Sequence, residues 1–187
     1  MVKIAVIYHS RSGHTKTLAE HVAIGASSSS DEVRLIDCTD PKIDWQFLDD
    51  CAALIFGCPT YMGSVSAEMK AFMDSTSQAF LKQKWRNKIG AAFTNSSALN
   101  GDKLNTLMQL SIFAFQHGMV WVGLDLPAGI SSTKHNDNRL NRLGSWIGLM
   151  AQSNSDESAL LAPPPSDLET AKYFGERVAS FARKLEN

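Results

Sequence analysis

Five short apolar runs alternate with helical segments along the chain, and this alternation limits the fold more than any other feature. The first run, Lys3 to Tyr8, is rich in β-branched residues and shows little alternation between apolar and polar positions. That pattern is typical of a strand buried on both faces. Further strands are predicted at 33–37, 52–57, 88–94 and 118–124. Because buried parallel strands need helices on both faces, the alternation predicts an α/β three-layer sandwich.

The number of strands also predicts their order and the place of a ligand site. Five parallel strands suit the doubly wound order 2-1-3-4-5. In such sheets ligands bind outside the carboxyl ends of the strands, at the switch point between the first and third strands. The loops after strands 1, 3, 4 and 5 therefore form the candidate site. The chain has 187 residues without an internal repeat or a dividing linker, so residues 1–187 are predicted to form a single domain.

Composition narrows the classes of partner and the cellular location. Lys and Arg total 18 and Asp and Glu total 19, which gives a net charge of −1, so nucleic-acid binding is not expected. The longest apolar stretches fall far short of the ~20 residues that span a bilayer, and membrane insertion is not expected. Cys38, Cys51 and Cys58 are odd in number and lack CxxC spacing. We therefore expect no disulfide framework and no metal site, and a reducing, cytoplasmic location fits.

The loop after the first strand combines hydroxyl groups, a glycine and the start of a predicted helix. Backbone N–H groups and the helix dipole at such a point bind phosphate. The loop lacks the lysine of a GxxxxGK[ST] motif and the spacing of GxGxxG, so a terminal monophosphate is the better match. The alternative is an ordinary capped turn without a ligand. The candidate residues are Ser10, Arg11, Ser12, Gly13, His14 and Thr15.

The loops after the third and fourth strands supply different chemistry at the same edge. Pro59 and Thr60 lead to Tyr61 and Met62, whose aromatic ring and thioether suit contact with a flat ring. The alternative is that both side chains only pack. The segment 95–101 is rich in hydrogen-bonding groups and suits the polar edge of a heterocycle, or it is a solvated connection.

His117 is predicted to end the helix before the fifth strand. The helix dipole favours the charged imidazole at this position. If His117 reaches the ligand, it can stabilise negative charge or pass a proton; otherwise it only caps the helix.

Three segments together carry a family resemblance. In their order and spacing, Tyr8–Thr15, Phe56–Gly63 and His117–Val120 resemble the flavodoxin-like NAD(P)H:quinone oxidoreductases of the Trp-repressor-binding-protein (WrbA) type. The resemblance extends over nearly the whole chain. It implies a flavodoxin-like fold, non-covalently bound FMN, and NADPH or NADH as electron donor. Relatives are tetramers, so it also implies a homo-oligomer, either a dimer or a tetramer.

The resemblance also assigns roles to residues. The loop from Ser10 to Thr15 would hold the ribityl phosphate of FMN, and His117 would lie beside the flavin ring as the catalytic residue. A tryptophan that lines the substrate pocket in the family aligns with Phe80, and Trp85 is nearby. One edge of the ring would be bordered by Pro59, Thr60, Tyr61 and Met62, and the other by Thr94, Asn95 and Ser96.

These features predict an FMN-dependent NAD(P)H oxidoreductase that transfers a hydride from nicotinamide to flavin and two electrons to a quinone or similar acceptor. An electron-carrier flavodoxin and a non-catalytic FMN-binding module are the alternatives. A reductase of azo dyes, nitro compounds or free FMN is a third. Because electron shuttles dock through strongly acidic faces, the net charge of −1 favours the enzyme.

The segment 125–162 shows no clear period. Long irregular segments in compact domains are usually functional or mobile. Trp146 lies within it, and either covers the flavin or anchors the loop.

Overall fold

A computed structural model gives the fold of residues 1–27, 31–129 and 139–185. Strands and helices alternate through most of this part of the chain. The strands are β1 (Lys3–Tyr8), β2 (Glu32–Asp37), β3 (Ala53–Tyr61), β4 (Ser64–Val65), β5 (Ile89–Ser96), β6 (Val120–Trp121) and β7 (Leu149–Gln152). The helices are α1 (His14–Ala26), α2 (Trp45–Asp50), α3 (Ala67–Ser75), α4 (Ser77–Leu81), α5 (Lys103–Gln116) and α6 (Pro165–Leu185).

The central sheet has the order β2-β1-β3-β5-β6, and these strands pair in parallel. Counted along the chain, the five parallel strands therefore have the predicted order 2-1-3-4-5. Two short strands are additions to this path: β4 pairs antiparallel with the end of β3, and β7 pairs in parallel with the end of β5.

The fifth strand is shorter than predicted and is divided in two. Only β6 forms within the predicted strand 118–124, and it pairs with the first residues of β5. The chain then leaves the sheet and returns as β7, which pairs with the last residues of β5. Gly123 lies where the chain leaves the sheet. The backbone of Trp146 passes so close to it that a Cβ atom at this position would lie 2.3 Å from the carbonyl oxygen of Trp146. Part of the aperiodic segment, residues 130–138, lies outside the described residues.

Alternate residues of the buried strands face two hydrophobic layers. Ile4 and Val6 of β1 pack with α1 and α6, whereas Ala5 and Ile7 pack with α2, α3 and α5. All four side chains are fully buried. Burial on both faces explains why β1 is apolar after Lys3 and confirms the predicted sandwich. In the described ranges, no helix is long and apolar enough to cross a membrane.

Helices α1 and α6 approach each other closely through two glycines. A Cβ atom at Gly25 would lie 1.8 Å from the carbonyl oxygen of Lys172, and one at Gly175 would lie 2.0 Å from that of Val22. These atoms belong to helix backbones and have no room to move. Glycine is therefore required at both positions for α6 to pack on α1.

Replacing Gly175 with alanine tests this packing. Ala ordinarily stabilises a helix by about 1 kcal/mol relative to Gly. We expect the opposite sign, a loss of about 3 kcal/mol in the free energy of unfolding, because the new methyl group overlaps a backbone carbonyl. Urea denaturation measures the change, and Glu176→Ala on the exposed side of the same helix is the control. A Gly175→Ala variant as stable as the original protein would contradict the close contact.

Candidate functional site

A cavity of about 200 Å³ opens at the carboxyl edge of the sheet, between the loops that follow β1, β3 and β5. This is the place that the predicted strand order selects. Ser97 of the predicted segment 95–101 also lines the cavity, and so do Ser153 and Ser155, which the sequence did not predict. The predicted residues that line it are Ser10, Arg11, Ser12, His14, Thr15, Pro59, Thr60, Tyr61, Asn95 and Ser96.

The loop after β1 forms the end of the cavity at which the sequence predicts a phosphate. Gly13 precedes α1 with φ +89°, a backbone conformation that glycine adopts without steric cost. It turns the chain into the helix but is not itself part of the cavity wall. Thr15 is buried in the first turn of α1, where backbone N–H groups have no partner within the helix. A second contact fixes the loop: His14 Nε2 lies 2.9 Å from the carbonyl oxygen of Glu157.

Ser10 carries the most informative atom of this loop. Its Oγ is buried and has no hydrogen-bond partner among the described residues. A buried hydroxyl without a partner costs free energy, so such atoms need an explanation. A phosphate oxygen at the helix N-terminus would accept the hydroxyl proton, and the exposed Arg11 at the cavity wall adds positive charge. The residues present therefore fit a phosphate monoester.

The segment after the third strand is more regular than predicted. β3 continues through Tyr61, and Met62 and Gly63, with φ +48° and +74°, form a tight turn into β4. Tyr61 lines the cavity and is partly exposed. Met62 is fully exposed and does not line the cavity. Within the described part of one chain, Met62 therefore neither packs against other side chains nor contacts the cavity.

Thr94 lies behind the cavity rather than in its wall. Its side chain is fully buried, and its hydroxyl donates to the carbonyl oxygen of Cys58 at 2.7 Å. Thr94 Oγ1 also lies 2.8 Å from Thr60 Oγ1, which donates to Thr106 Oγ1 at 2.8 Å. This threonine cluster fixes Thr60 at the cavity wall, so Thr94 acts through its neighbour.

Strand β7 explains the site residues that the sequence did not reveal. Ser153 follows β7 directly, and its hydroxyl donates to Asn95 Oδ1 at 3.2 Å. Gln152 Nε2 donates to the carbonyl oxygen of Ser97 at 2.9 Å. Because a strand of four residues has a weak periodic signal, the sequence did not show that this segment returns to the cavity.

His117 and Phe80 belong to a second cavity of about 260 Å³. Their rings meet edge to face, with centroids 6.0 Å apart. His117 is buried, and burial lowers its pKa. The expectation that the helix dipole favours the charged imidazole is thus wrong, because loss of hydration outweighs the dipole.

Hydrogen bonding also indicates which nitrogen of His117 carries the proton. The Thr76 hydroxyl lies 2.7 Å from the carbonyl oxygen of Met73, to which it donates. Thr76 Oγ1 must then accept from His117 Nε2, 3.0 Å away. Nδ1 is therefore the unprotonated nitrogen of the neutral ring. It is buried and has no hydrogen-bond partner among the described residues.

The two cavities lie at opposite ends of α5. The helix begins beside Ser96 and ends at His117. At 1.5 Å per residue, its length of 14 residues separates the two ends by about 20 Å. Within one copy of the chain, His117 and Phe80 are therefore not brought together with the other predicted site residues.

The cysteines have no part in either cavity wall. Cys38, Cys51 and Cys58 are buried free thiols, and burial raises the pKa of each to about 12. Such thiols are unreactive at neutral pH. Across the described ranges, no group of three or more His, Cys, Asp or Glu side chains could hold a metal ion.

A doubly wound parallel sheet with a cavity at its switch point, beside the N-terminus of a helix, is typical of α/β proteins that bind a phosphorylated cofactor. Comparison with known families makes this class specific. The model of the family described as NADPH-dependent FMN reductase matches residues 2–129. The chain belongs to this family.

Individual relatives agree with the family but carry different names. The chain is 41% identical over 186 residues to flavodoxin FldP of Pseudomonas aeruginosa, with 99% of each chain covered. It is 33% identical to an NAD(P)H dehydrogenase (quinone) of Archaeoglobus fulgidus, with 99% of this chain and 100% of the relative covered. A solved structure of a WrbA-like flavodoxin from Agrobacterium tumefaciens has 39% identity and a TM-score of 0.76, covering 98% and 99% of the two chains.

These matches confirm the predicted WrbA-type resemblance and the flavodoxin-like fold. They also confirm, at the level of the family, FMN as the flavin and NAD(P)H as the electron donor.

Replacing Ser10 with alanine tests the predicted contact between this loop and the phosphate of FMN. Because Ser10 Oγ has no partner among the described residues, its removal should leave the thermal stability of the FMN-free protein unchanged. The dissociation constant for FMN should rise about tenfold, since one hydrogen bond to a charged group is lost. Quenching of flavin fluorescence measures it. Ser180→Ala, whose hydroxyl donates within α6, is the control, and equal FMN affinity in both variants would contradict the assignment.

Proposed function

We propose that this protein is an FMN-dependent NAD(P)H oxidoreductase that passes two electrons to quinones or similar small acceptors. The observation that carries the proposal is the unpartnered hydroxyl of Ser10 at the N-terminus of α1, at the switch point of the sheet. Family membership supports it. Three buried free thiols support a reducing compartment such as the cytoplasm.

The chain's own residues position the cofactor. The loop from Ser10 to Thr15 binds the phosphate, Tyr61 forms the rim, and Asn95 and Ser96 offer hydrogen bonds at the far side. When bound, FMN supplies the two-electron redox chemistry between reduced nicotinamide and acceptor. The transfer of hydride to and from the flavin itself requires no acid–base pair from the protein.

The size of the cavity supports small, exchangeable substrates. Its volume of about 200 Å³ is below the 300–1,000 Å³ of pockets that enclose a whole ligand. The cavity therefore encloses only part of a cofactor and leaves the rest accessible at the rim. An open rim allows nicotinamide and acceptor to bind in turn.

An electron carrier is the second candidate, because a 41% identical relative is named a flavodoxin. A carrier exchanges electrons with protein partners and oxidises NADPH slowly on its own. Such carriers dock through a strongly charged face. The net charge of −1 gives little long-range attraction of that kind and favours the enzyme.

Steady-state turnover distinguishes the two candidates. The FMN-loaded protein, mixed with NADPH and benzoquinone, should consume NADPH at roughly 1–100 turnovers per second, the range of ordinary enzymes. The decrease in absorbance at the NADPH band measures the rate, and free FMN at the same concentration is the control. FMN binding with NADPH consumption no faster than the control would contradict the enzyme and favour the carrier.

We further infer that the active form is a homo-oligomer in which α5 of one copy packs against a second copy. Helix α5 buries one apolar face and exposes another. None of its exposed side chains is charged: Leu104, Asn105, Met108, Ile112, Phe115 and Gln116. A symmetric interface brings a surface against itself, so like charges would repel and an uncharged apolar surface suits a second copy.

This interface also gives His117 and Phe80 a place in the reaction. The second cavity begins where the exposed face of α5 ends. Packing of two copies along α5 could bring this cavity of one copy to the rim of the first cavity of the other. There, Nδ1 of His117 would take up a proton from solvent and donate it to the acceptor as the acceptor is reduced, and Phe80 would contact the ring of the acceptor.

Replacing Ile112 with glutamate tests both parts of this inference. Sedimentation velocity should show an oligomer for the original protein and a monomer for the variant, because a buried charge disfavours the interface. Turnover should fall roughly a hundredfold in Ile112→Glu and in His117→Ala, and no further in the double variant. Ile24→Glu on the opposite face of the sheet is the control, since Ile24 is similarly exposed, 57% against 53% for Ile112.

Two results would contradict the inference. One is a monomeric original protein that turns over at full rate. The other is unchanged rates of flavin reduction and of acceptor reduction in His117→Ala.

A further inference from the structure

Lys103 is a fully buried lysine directly behind the first cavity. It is the first residue of α5, and its exposed fraction is 0%. Its ammonium group donates to Ser96 Oγ at 2.9 Å and to the carbonyl oxygen of Ala98 at 2.6 Å. Ser96 lines the cavity. Lys103 is therefore one side chain away from whatever the cavity binds.

The position of Lys103 is unfavourable for a cation on two counts. Burial removes the hydration of the ammonium group and lowers the pKa of Lys103 to about 8. In addition, the N-terminus of a helix carries partial positive charge, which repels a cation in the first turn. Both effects destabilise a charged lysine at this position. The presence of Lys103 there despite them indicates that positive charge is needed at this edge of the cavity.

Neighbouring charges do not neutralise Lys103. Asp167 is the buried carboxylate that acts on it, but Arg142 binds Asp167 through two hydrogen bonds of 2.8 and 3.0 Å. Burial raises the pKa of Asp167, and the N–H of Gln152 and Arg142 oppose that shift. Asp102, next to Lys103 in sequence, is exposed. Lys103, Arg142 and Asp167 together therefore leave one positive charge in excess when all three are ionised.

We propose that Lys103 is a positioning residue that holds the loop 96–98 against the cavity and favours the reduced, anionic form of FMN over the oxidised form. This inference rests on the proposed function. Uptake of two electrons and one proton gives the ring one negative charge, and the electrons and the proton come from reduced nicotinamide. A positive charge behind Ser96 stabilises the product of that step more than the neutral ring that precedes it.

Replacing Lys103 with methionine should weaken the binding of reduced FMN more than that of oxidised FMN. Affinity for oxidised FMN should change less than threefold, whereas affinity for reduced FMN should fall about tenfold further. Since tenfold corresponds to about 30 mV for two electrons, the midpoint potential of bound FMN should become about 30 mV more negative. Lys103→Arg, which keeps the charge, should restore the original potential.

The measurements are a fluorescence titration with oxidised FMN and an anaerobic potential determination against a reference dye. Lys88→Met is the matched control: its ammonium group also donates to backbone carbonyl oxygens, those of Asp49 and Cys51, but at the opposite end of β5. Its potential should equal that of the original protein. Lys103→Gln removes the charge but keeps a donor, and it provides the same comparison if the methionine variant does not fold.

The outcomes separate this inference from the proposed function. An original protein that does not bind FMN would overturn both. FMN binding together with an equal loss of affinity for both forms in Lys103→Met would overturn the role of charge and leave the oxidoreductase intact. An equal shift of potential in Lys88→Met would also overturn the inference, because the effect would then not depend on the place of the charge.

Discussion

The parallel pairing of β1, β3 and β5 determines where the helices and the loops of this protein lie. Each of these strands is buried on both faces, so helices must cover both sides of the sheet and every connection must cross from one edge to the other. The carboxyl ends of the three strands consequently meet at one edge. The loops after them have no alternative to converging there, and together they form the cavity that contains Ser10, Thr60 and Asn95. The same pairing places the end of α5 at the opposite edge, which separates His117 from that cavity.

Much of this arrangement could be predicted because the decisive signals are local. A short window of sequence is enough to recognise the strand from Lys3 to Tyr8, the glycine at position 13 and the helix that follows. The order of the strands then predicts that the loop between them lies at the carboxyl edge of the sheet. Strand β7 was missed for the opposite reason. It is four residues long, and its pairing with β5 spans more than 50 residues of chain. The contacts of Ser153 depend on that pairing and carry no local signal. The sequence identified His117 as a candidate, but the environment predicted for it was wrong. Its position at the end of a helix does not show that Phe113 and Trp85 pack against its ring.

Some polar groups around the two cavities have hydrogen-bond partners within the fold, and others have none among the described residues. The hydroxyl groups of Thr60 and Thr94 have partners within the fold, and their role is to fix the wall. Ser10 Oγ and His117 Nδ1 are buried without partners among the described residues, and Lys103 is a buried cation without a full counter-charge. A stable fold tolerates few such groups. Ser10 lies in the loop before α1, and Lys103 and His117 lie at the two ends of α5. A bound cofactor or substrate at these places, as proposed, would supply the missing partners.

We propose that the loop from Ser10 to Thr15 holds the phosphate of FMN at the carboxyl edge of the sheet. A crystal structure of the FMN complex tests it most directly. Our account predicts phosphate oxygens within hydrogen-bond distance of Ser10 Oγ and of backbone N–H groups in the first turn of α1, with the flavin ring next to Tyr61. Phosphate density at any other place, such as the cavity beside His117, or a Ser10 hydroxyl still without a partner in the complex, would contradict it.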